Sequence, residues 1–283
     1  MRLDIDGRNC ELESGRSILD AVKKEGLDSI MLSDRPLAAQ IGGEVFNLRF
    51  TPKKDTQIHL LRYGEDMGRR VYERTLQFLF ILAMRKEFPR ARVCVRYSLG
   101  PGLFITVDGM EEPFNEEAAL KVETEMRRLV RLKLPLERRR ISIKEALSFY
   151  EQDGQADKAK LLKWRRFSYF DVYQIDGYMD YFYGEMAPDT SYADVFRVKY
   201  VHDGAVVLLM PRNDAPDVPS DYVDLPKLHA VFHQSDEWGK LMECATVNDL
   251  NTHIQNGTIR ELVRINEALH DRGYADIADK IVQ

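Results

Sequence analysis

The sequence is poor in cysteine: three thiols in 283 residues, Cys10, Cys94 and Cys244, odd in number and far apart. That count argues against a disulfide framework, and the absence of any CxxC pair removes the common structural zinc patterns. Long apolar runs are missing too. The longest, residues 76–84, is interrupted by Gln77 and abuts Arg85-Lys86, too short to span a bilayer. Residues 1–10 hold no apolar signal segment, so the cytoplasm is the expected compartment and no membrane partner is expected. No internal repeat and no low-complexity tract occurs. No GxxxxGK[ST] loop is present, which leaves the chain without the main electrostatic parts of phosphoryl transfer. A surplus of positive charge is lacking as well: Lys+Arg total 41 against 46 Asp+Glu, a net charge of −5. A surface wholly devoted to nucleic acid is thereby disfavoured, while a local basic patch stays open.

What is present is an ordinary globular composition, 44% hydrophobic and 31% charged, in a chain of about two domains' length. Residues 1–5 alternate apolar and polar side chains, Asp6-Gly7 is a turn pair, and residues 10–12 would return as a second strand. Ile18, Leu19 and Val22 share a helical face, with Gly26 where a C-cap belongs. Residues 37–41 and 44–48 read as a hairpin closed by Gly42-Gly43, and residues 56–61 as a last strand. This order predicts a β-grasp domain over residues 1–62.

Residues 66–88 carry Val71, Leu76, Leu79, Phe80, Ala83 and Met84 near a 3.6-residue period, with a stop at Pro89. Residues 92–95 and 104–107 read as strands around Gly100-Pro101-Gly102, and residues 115–133 as an amphipathic helix. Residues 141–151 form another helix, with Ser142 as cap and Glu145 three residues on. A short helix over 155–164, a hairpin over 196–210 around Asp203-Gly204, a loop over 213–220 and a strand over 228–232 follow. Residues 244–283 read as three short helices, broken at Asn256-Gly257 and Arg272-Gly273. Together these give an α+β second domain over 63–240 and a helical tail over 241–283.

Three features bear on chemistry. A basic stretch runs through Arg127, Arg128, Arg131 and Lys133 to Arg138, Arg139 and Arg140. A second, with Lys163, Arg165 and Arg166, leads into Phe167, Tyr169 and Phe170. Cations beside aromatic rings suit RNA, through phosphate contacts and base stacking. Arg127, Arg131, Arg139, Lys163, Arg165 and Arg166 are the candidate contacts. Interleaved acids such as Glu123 and Glu125 equally suit a solvated helix face. The aromatic run over 164–183 gives a candidate ligand groove at Tyr173, Tyr178, Asp180, Tyr183 and Glu185, with an aromatic core as the competing reading. His229 and His233 form an HxxxH pair, but on a strand residues four apart lie roughly 13 Å from each other, too far to share a metal. No metal and no catalytic residue is assigned.

The layout resembles known families. Asp6-Gly7, residues 15–22 and residues 37–44 are similar to a TGS domain, the β-grasp module of threonyl-tRNA synthetases. The helix ending at Phe88-Pro89 and the glycine-containing hairpin over 97–108 resemble the opening of those synthetases' second, editing-type domain. The resemblance implies an α+β chain: a TGS domain, a synthetase-editing-like domain and a short helical tail. Residues 226–238 and 247–281 resemble the approach to the kinase domain of a bacterial uridine kinase-like nucleoside kinase. That family implies a P-loop kinase domain after Gln283, using ATP and magnesium on a nucleoside 5′-hydroxyl, with this region as a non-catalytic regulatory part and no cofactor of its own. Editing domains carry an HxxxH and a CxxxH pair. The matching positions here are Arg74, Phe78, Phe182 and Met186, none of which supplies that chemistry. A stand-alone RNA- or tRNA-binding module is the alternative, and an editing-like hydrolase a further one.

Overall fold

Turn chemistry sets the first strands. A computed structural model of the chain describes residues 1–202 and 204–282. In it β1 (Arg2–Ile5) and β2 (Arg8–Glu11) pair antiparallel across Asp6 and Gly7, whose φ values of 49° and 82° suit a tight hairpin turn. Ser17 caps α1 (Ile18–Lys24): its hydroxyl accepts the Asp20 amide, and the Asp20 carboxylate accepts the Ser17 amide. Next come β3 (Ala38–Ile41), β4 (Glu44–Phe46) and β5 (Thr56–Leu61). β5 lies parallel to β1 at the centre of a sheet ordered β2-β1-β5-β3-β4. Ile18, Leu19 and Val22 are buried in the same core as Leu3, Ile5, Ile58 and Leu60. The expected β-grasp arrangement is present.

α2 (Asp66–Glu87) buries Val71, Tyr72, Leu76, Phe78, Leu79, Phe80 and Met84, which lie around most of its circumference, so it is an interior helix. β6 (Arg92–Leu99), β7 (Gly102–Asp108) and α3 (Glu116–Leu132) follow, then β8 (Glu137–Ser142), α4 (Ile143–Gln152), α5 (Ala156–Leu162), β9 (Tyr169–Ile175), β10 (Tyr178–Asp180), β11 (Arg197–Tyr200) and β12 (Ala205–Leu209). A four-stranded antiparallel sheet has the order β11-β12-β7-β6, and a three-stranded one the order β10-β9-β8. The period of two along a strand splits the first sheet's side chains. Ile105, Val206 and Leu208 join the core of α2 and α3, while Phe104, Val207 and Leu209 form a smaller core with Tyr222 and Leu225.

β13 (Pro211–Arg212) pairs with β14 (Ala215–Pro219), so residues 213–220 hold a strand where the prolines and aspartates suggested a loop. The last elements are α6 (Pro226–Leu241), α7 (Val247–Asn256) and α8 (Ile259–Val282). The expected strand over 228–232 is thus a helix, begun by Pro226 at a position where the missing N–H costs nothing. Gly257 does end α7, at φ 74°, but Arg272-Gly273 lies inside α8 and does not break it. Asp203 of the expected turn, and Gln283, lie outside the described residues. Among the described residues no helix is long and apolar enough to cross a membrane. Cys10 is buried, Cys94 exposed and Cys244 half-buried, none joined in a disulfide.

The chain gathers into two compact units. One comprises Met1–Arg139 and Asp171–Leu225, the other Arg140–Phe170 and Pro226–Gln283. Within the first, the β-grasp strands and the second sheet share one continuous core. Tyr63 and Tyr72 meet edge to face at 5.1 Å; their hydroxyls donate to the Pro211 and Val195 carbonyls, each at 2.7 Å. Arg35, 6% exposed, donates to both carboxylate oxygens of Asp194 at 2.9 and 3.0 Å and to the backbone of Ser29, Ile30, Ser191 and Tyr192.

Candidate functional site

Segments distant in sequence meet in the first unit around a cavity of about 1060 Å³. The first wall follows the β3–β4 hairpin, which Gly42 and Gly43 close with positive φ values. The chain then turns at Asn47, whose side-chain oxygen accepts the Arg49 amide at 2.8 Å while its amide donates to the Met186 carbonyl at 2.8 Å. This turn presents Phe46 and Phe50 to the cavity, ring centroids 4.5 Å apart. Arg49 beside them donates to the Pro188 carbonyl at 2.9 Å. The floor is α2, where Met67, Arg70 and Arg74 recur at spacings of three and four and so share a face. The opposite wall is Arg138 and Arg139 of β8 together with Gly184 and Glu185.

The electrostatics are unequal. Five arginines and three glutamates line the cavity, and one glutamate is already committed. Glu185 accepts from Arg138 and, at 2.9 Å, from the Tyr173 hydroxyl. Arg138 also pairs with Asp171 at 2.9 Å; burial works against its charge, but Asp171 and Glu185 prevail and raise its pKa. Arg74 is half-buried, and its Nε donates to the Glu185 carbonyl at 2.9 Å. Burial pulls its pKa below the usual guanidinium value, yet an arginine stays charged. Its guanidinium lies against Gly184, where a Cβ would come within 3.0 Å of Cζ, so that position has no room for a side chain while Arg74 stays in place. Tyr173 is buried; desolvation first, and Glu185 second, push its pKa far up, which keeps the phenol a neutral donor. The cavity therefore offers cations and ring faces, while Tyr173 and Glu185 are hydrogen-bonded to each other at its edge.

The residues singled out from sequence take several positions. Of the four editing-type positions, Arg74 alone lines the cavity. Phe78 is fully buried one turn along α2, its ring 5.3 Å from Phe182 and 5.9 Å from Tyr178. Met186 is buried, its amide donating to the Tyr173 hydroxyl at 3.2 Å. Of the groove expected around the tyrosines, Glu185 lines the cavity and Tyr173 backs it. Tyr178 lies under the Arg85 guanidinium at 4.5 Å, Asp180 is buried, and Tyr183 is exposed with its ring edge-on to Tyr181. None of these three lines the cavity.

Of the six basic candidates, Arg139 lines the cavity and donates to the Gln174 side chain at 2.6 Å. Arg127 is occupied by Glu123 at 2.9 Å, the Phe196 carbonyl at 2.7 Å and the Phe196 ring. Arg131 is exposed at the end of α3. Lys163, Arg165 and Arg166 belong to the second unit, where Lys163 lines a smaller cavity of about 570 Å³ and Arg165 lies over the Phe170 ring. His229 and His233 lie on α6, one helical turn apart with ring centroids at 6.4 Å, so the strand spacing set against a shared metal does not apply. Among the described residues, however, no group of three His, Cys, Asp or Glu side chains is placed to hold a metal. Arg49, Arg70, Phe46 and Phe50 escaped sequence reasoning. No local motif marks them; only the hairpin at Gly42-Gly43 and the helical spacing of 70 and 74 pointed their way.

No family model matches the chain. It is similar to threonine–tRNA ligases, the threonyl-tRNA synthetases of the sequence resemblance. The enzyme of Clostridium kluyveri is 25% identical over 194 residues, 68% of this chain and 30% of that protein. That of Carboxydothermus hydrogenoformans is 27% identical over 175 residues, 59% and 26% of the two chains. That of Acetivibrio thermocellus is 28% identical over 160 residues, 56% and 24%. The chain thus spans less than a third of the length of these relatives. None of the three is a nucleoside kinase.

Proposed function

We propose that the first unit binds RNA of the tRNA class in the arginine-lined cavity and holds it without hydrolysing it. The observation that carries this is the convergence of Arg49, Arg70, Arg74, Arg138 and Arg139 on one cavity, where Arg138 is held by Asp171 and Glu185 and Arg49 lies 3.7 Å from Asp189. Guanidinium groups match phosphate geometry and are weakly hydrated, so they bind it at modest desolvation cost. The similarity to ligases whose name specifies a tRNA supports the choice of RNA. The absence of hydrolysis rests on the occupied Tyr173–Glu185 pair and on Phe78 and Phe182, which offer no group to transfer a proton or hold a metal.

The test is fluorescence anisotropy with labelled tRNA across a salt series. Binding should weaken steeply with salt, and Arg70→Gln with Arg139→Gln should lower the log–log slope by about 1.4, at about 0.7 per phosphate contact to unpaired strand. An unchanged slope, or no binding at low salt, would overturn the proposal. Aminoacylated tRNA should survive equally long with and without the protein; accelerated deacylation would return the hydrolase reading. A following kinase domain with ATP and magnesium is an implication of the sequence resemblance alone, and nothing in the cavity requires it.

A further inference from the structure

We infer that the Phe46–Phe50 pair is a stacking platform for an unpaired RNA base, with the neighbouring phosphates held by Arg70 and Arg139. This rests on the RNA reading above and specifies which part of the RNA enters.

The argument starts from exposure. Phe78, Phe80, Phe114 and Phe196 in the same unit are fully or almost fully buried, whereas Phe50 is 38% exposed. Its neighbour Phe46 faces the same cavity, and the two rings lie 4.5 Å apart, tilted by 37°. Exposed aromatic area on one wall and arginines on the floor and the far wall are the two halves of a single-strand site: ring faces take bases, cations take phosphates. The platform is held firmly, since Asn47 between the rings is hydrogen-bonded across the cavity's edge to the Met186 carbonyl. The cavity volume of about 1060 Å³ is at the upper end of small-ligand sites, which fits a strand end and not a duplex. An acidic peptide would use the same arginines, but would leave the paired ring faces without a planar partner.

The experiment compares a short labelled oligouridine with a blunt RNA duplex on the full chain by anisotropy. Wild type should prefer the single strand. Phe50→Ala should weaken single-strand binding on the order of tenfold or more, leaving the salt slope as it was. Arg70→Gln should lower that slope by about 0.7. Phe50→Trp guards against a folding artefact: it should keep the affinity, and its fluorescence should fall as oligouridine binds. Undiminished binding by Phe50→Ala, equal affinity for the duplex, or displacement of the oligonucleotide by an acidic peptide at comparable concentration would each overturn the stacking platform. In the first two outcomes RNA still binds and the broader reading stands. No RNA binding by wild type would overturn both.

Discussion

α2 and α8 are of nearly equal length, 22 and 24 residues, and differ in what surrounds them. Eleven residues of α2 are buried. None of α8 is, and Val263, Ile265, Tyr274, Ile277 and Ile281 are all largely exposed. The two helices are held by different physics. α2 is specified by tertiary burial, which tolerates weak helix formers such as Val71 and Thr75. α8 is carried by local propensity, through residues such as Arg260, Glu261, Leu262 and Ala268. The contrast extends to function: the cavity is floored by the helix whose orientation the core fixes.

Four measurements would break or sharpen this contrast. The largest effect is expected for Phe78→Ala, which empties a fully buried site among Phe182 and Tyr178. Chemical denaturation should show a loss of about 3–5 kcal/mol; a loss below about 1 kcal/mol would mean that α2 is not the pillar of its unit. Next is Asp194→Asn, which leaves the buried Arg35 guanidinium without its countercharge. Because Asp194 is a third exposed, about 2 kcal/mol is expected, at the low side of buried-pair disruption. Unchanged stability would show that the backbone carbonyls suffice to hold Arg35.

A smaller effect concerns pH. His59 lies between Glu65 at 2.6 Å and Asp6 at 2.9 Å, and these two hydrogen bonds, Glu65 first, raise its pKa. Burial alone would raise the Asp6 pKa, but the Leu60 amide, His59 and Arg62 together hold it lower. A raised folded-state histidine pKa stabilises fully below the unfolded value and is lost as pH rises through the folded value. The melting temperature should therefore decline as pH rises above about 6.5, the unfolded histidine value, and His59→Gln should flatten that decline. An identical profile for the variant would remove His59 from the account. The smallest effect is expected for Ile277→Ala on α8, a change within about 0.5 kcal/mol. A larger loss would mean that α8 is covered in solution.

The β-grasp elements were legible because each carries a local cue: Asp6-Gly7, the Ser17 cap, Gly42-Gly43 and strands with one apolar face. α2 was legible because burial imprints a period. α6 resembles a strand in sequence because none of its residues is buried, so its apolar residues 228, 231 and 232 carry no constraint a pattern could report. Pro226 was the cue that favoured a helix. β8 went unseen because its residues 137–140 are charged and exposed, without alternation. The cavity was only partly legible. The sequence marks Arg74, Arg139 and Glu185, but Phe46, Arg49 and Phe50 face the wall bearing Glu185 only through contacts across more than a hundred residues, such as Asn47 with Met186.

Gly68, in the first turn of α2, has a further consequence. A Cβ there would lie 1.9 Å from the Arg62 carbonyl oxygen, so the helix starts pressed against the chain leaving β5. Residues 62–65 are all that separate strand from helix. Each residue inserted there would add up to about 3.3 Å of extended chain between the wall bearing Phe50 and the floor bearing Arg70 and Arg74. The length of this junction therefore limits the gap, alongside the core that the β-grasp strands and α2 share. In a lineage of such proteins, insertions and deletions at this junction would retune what fits between wall and floor, and point substitutions would only change how tightly it is held.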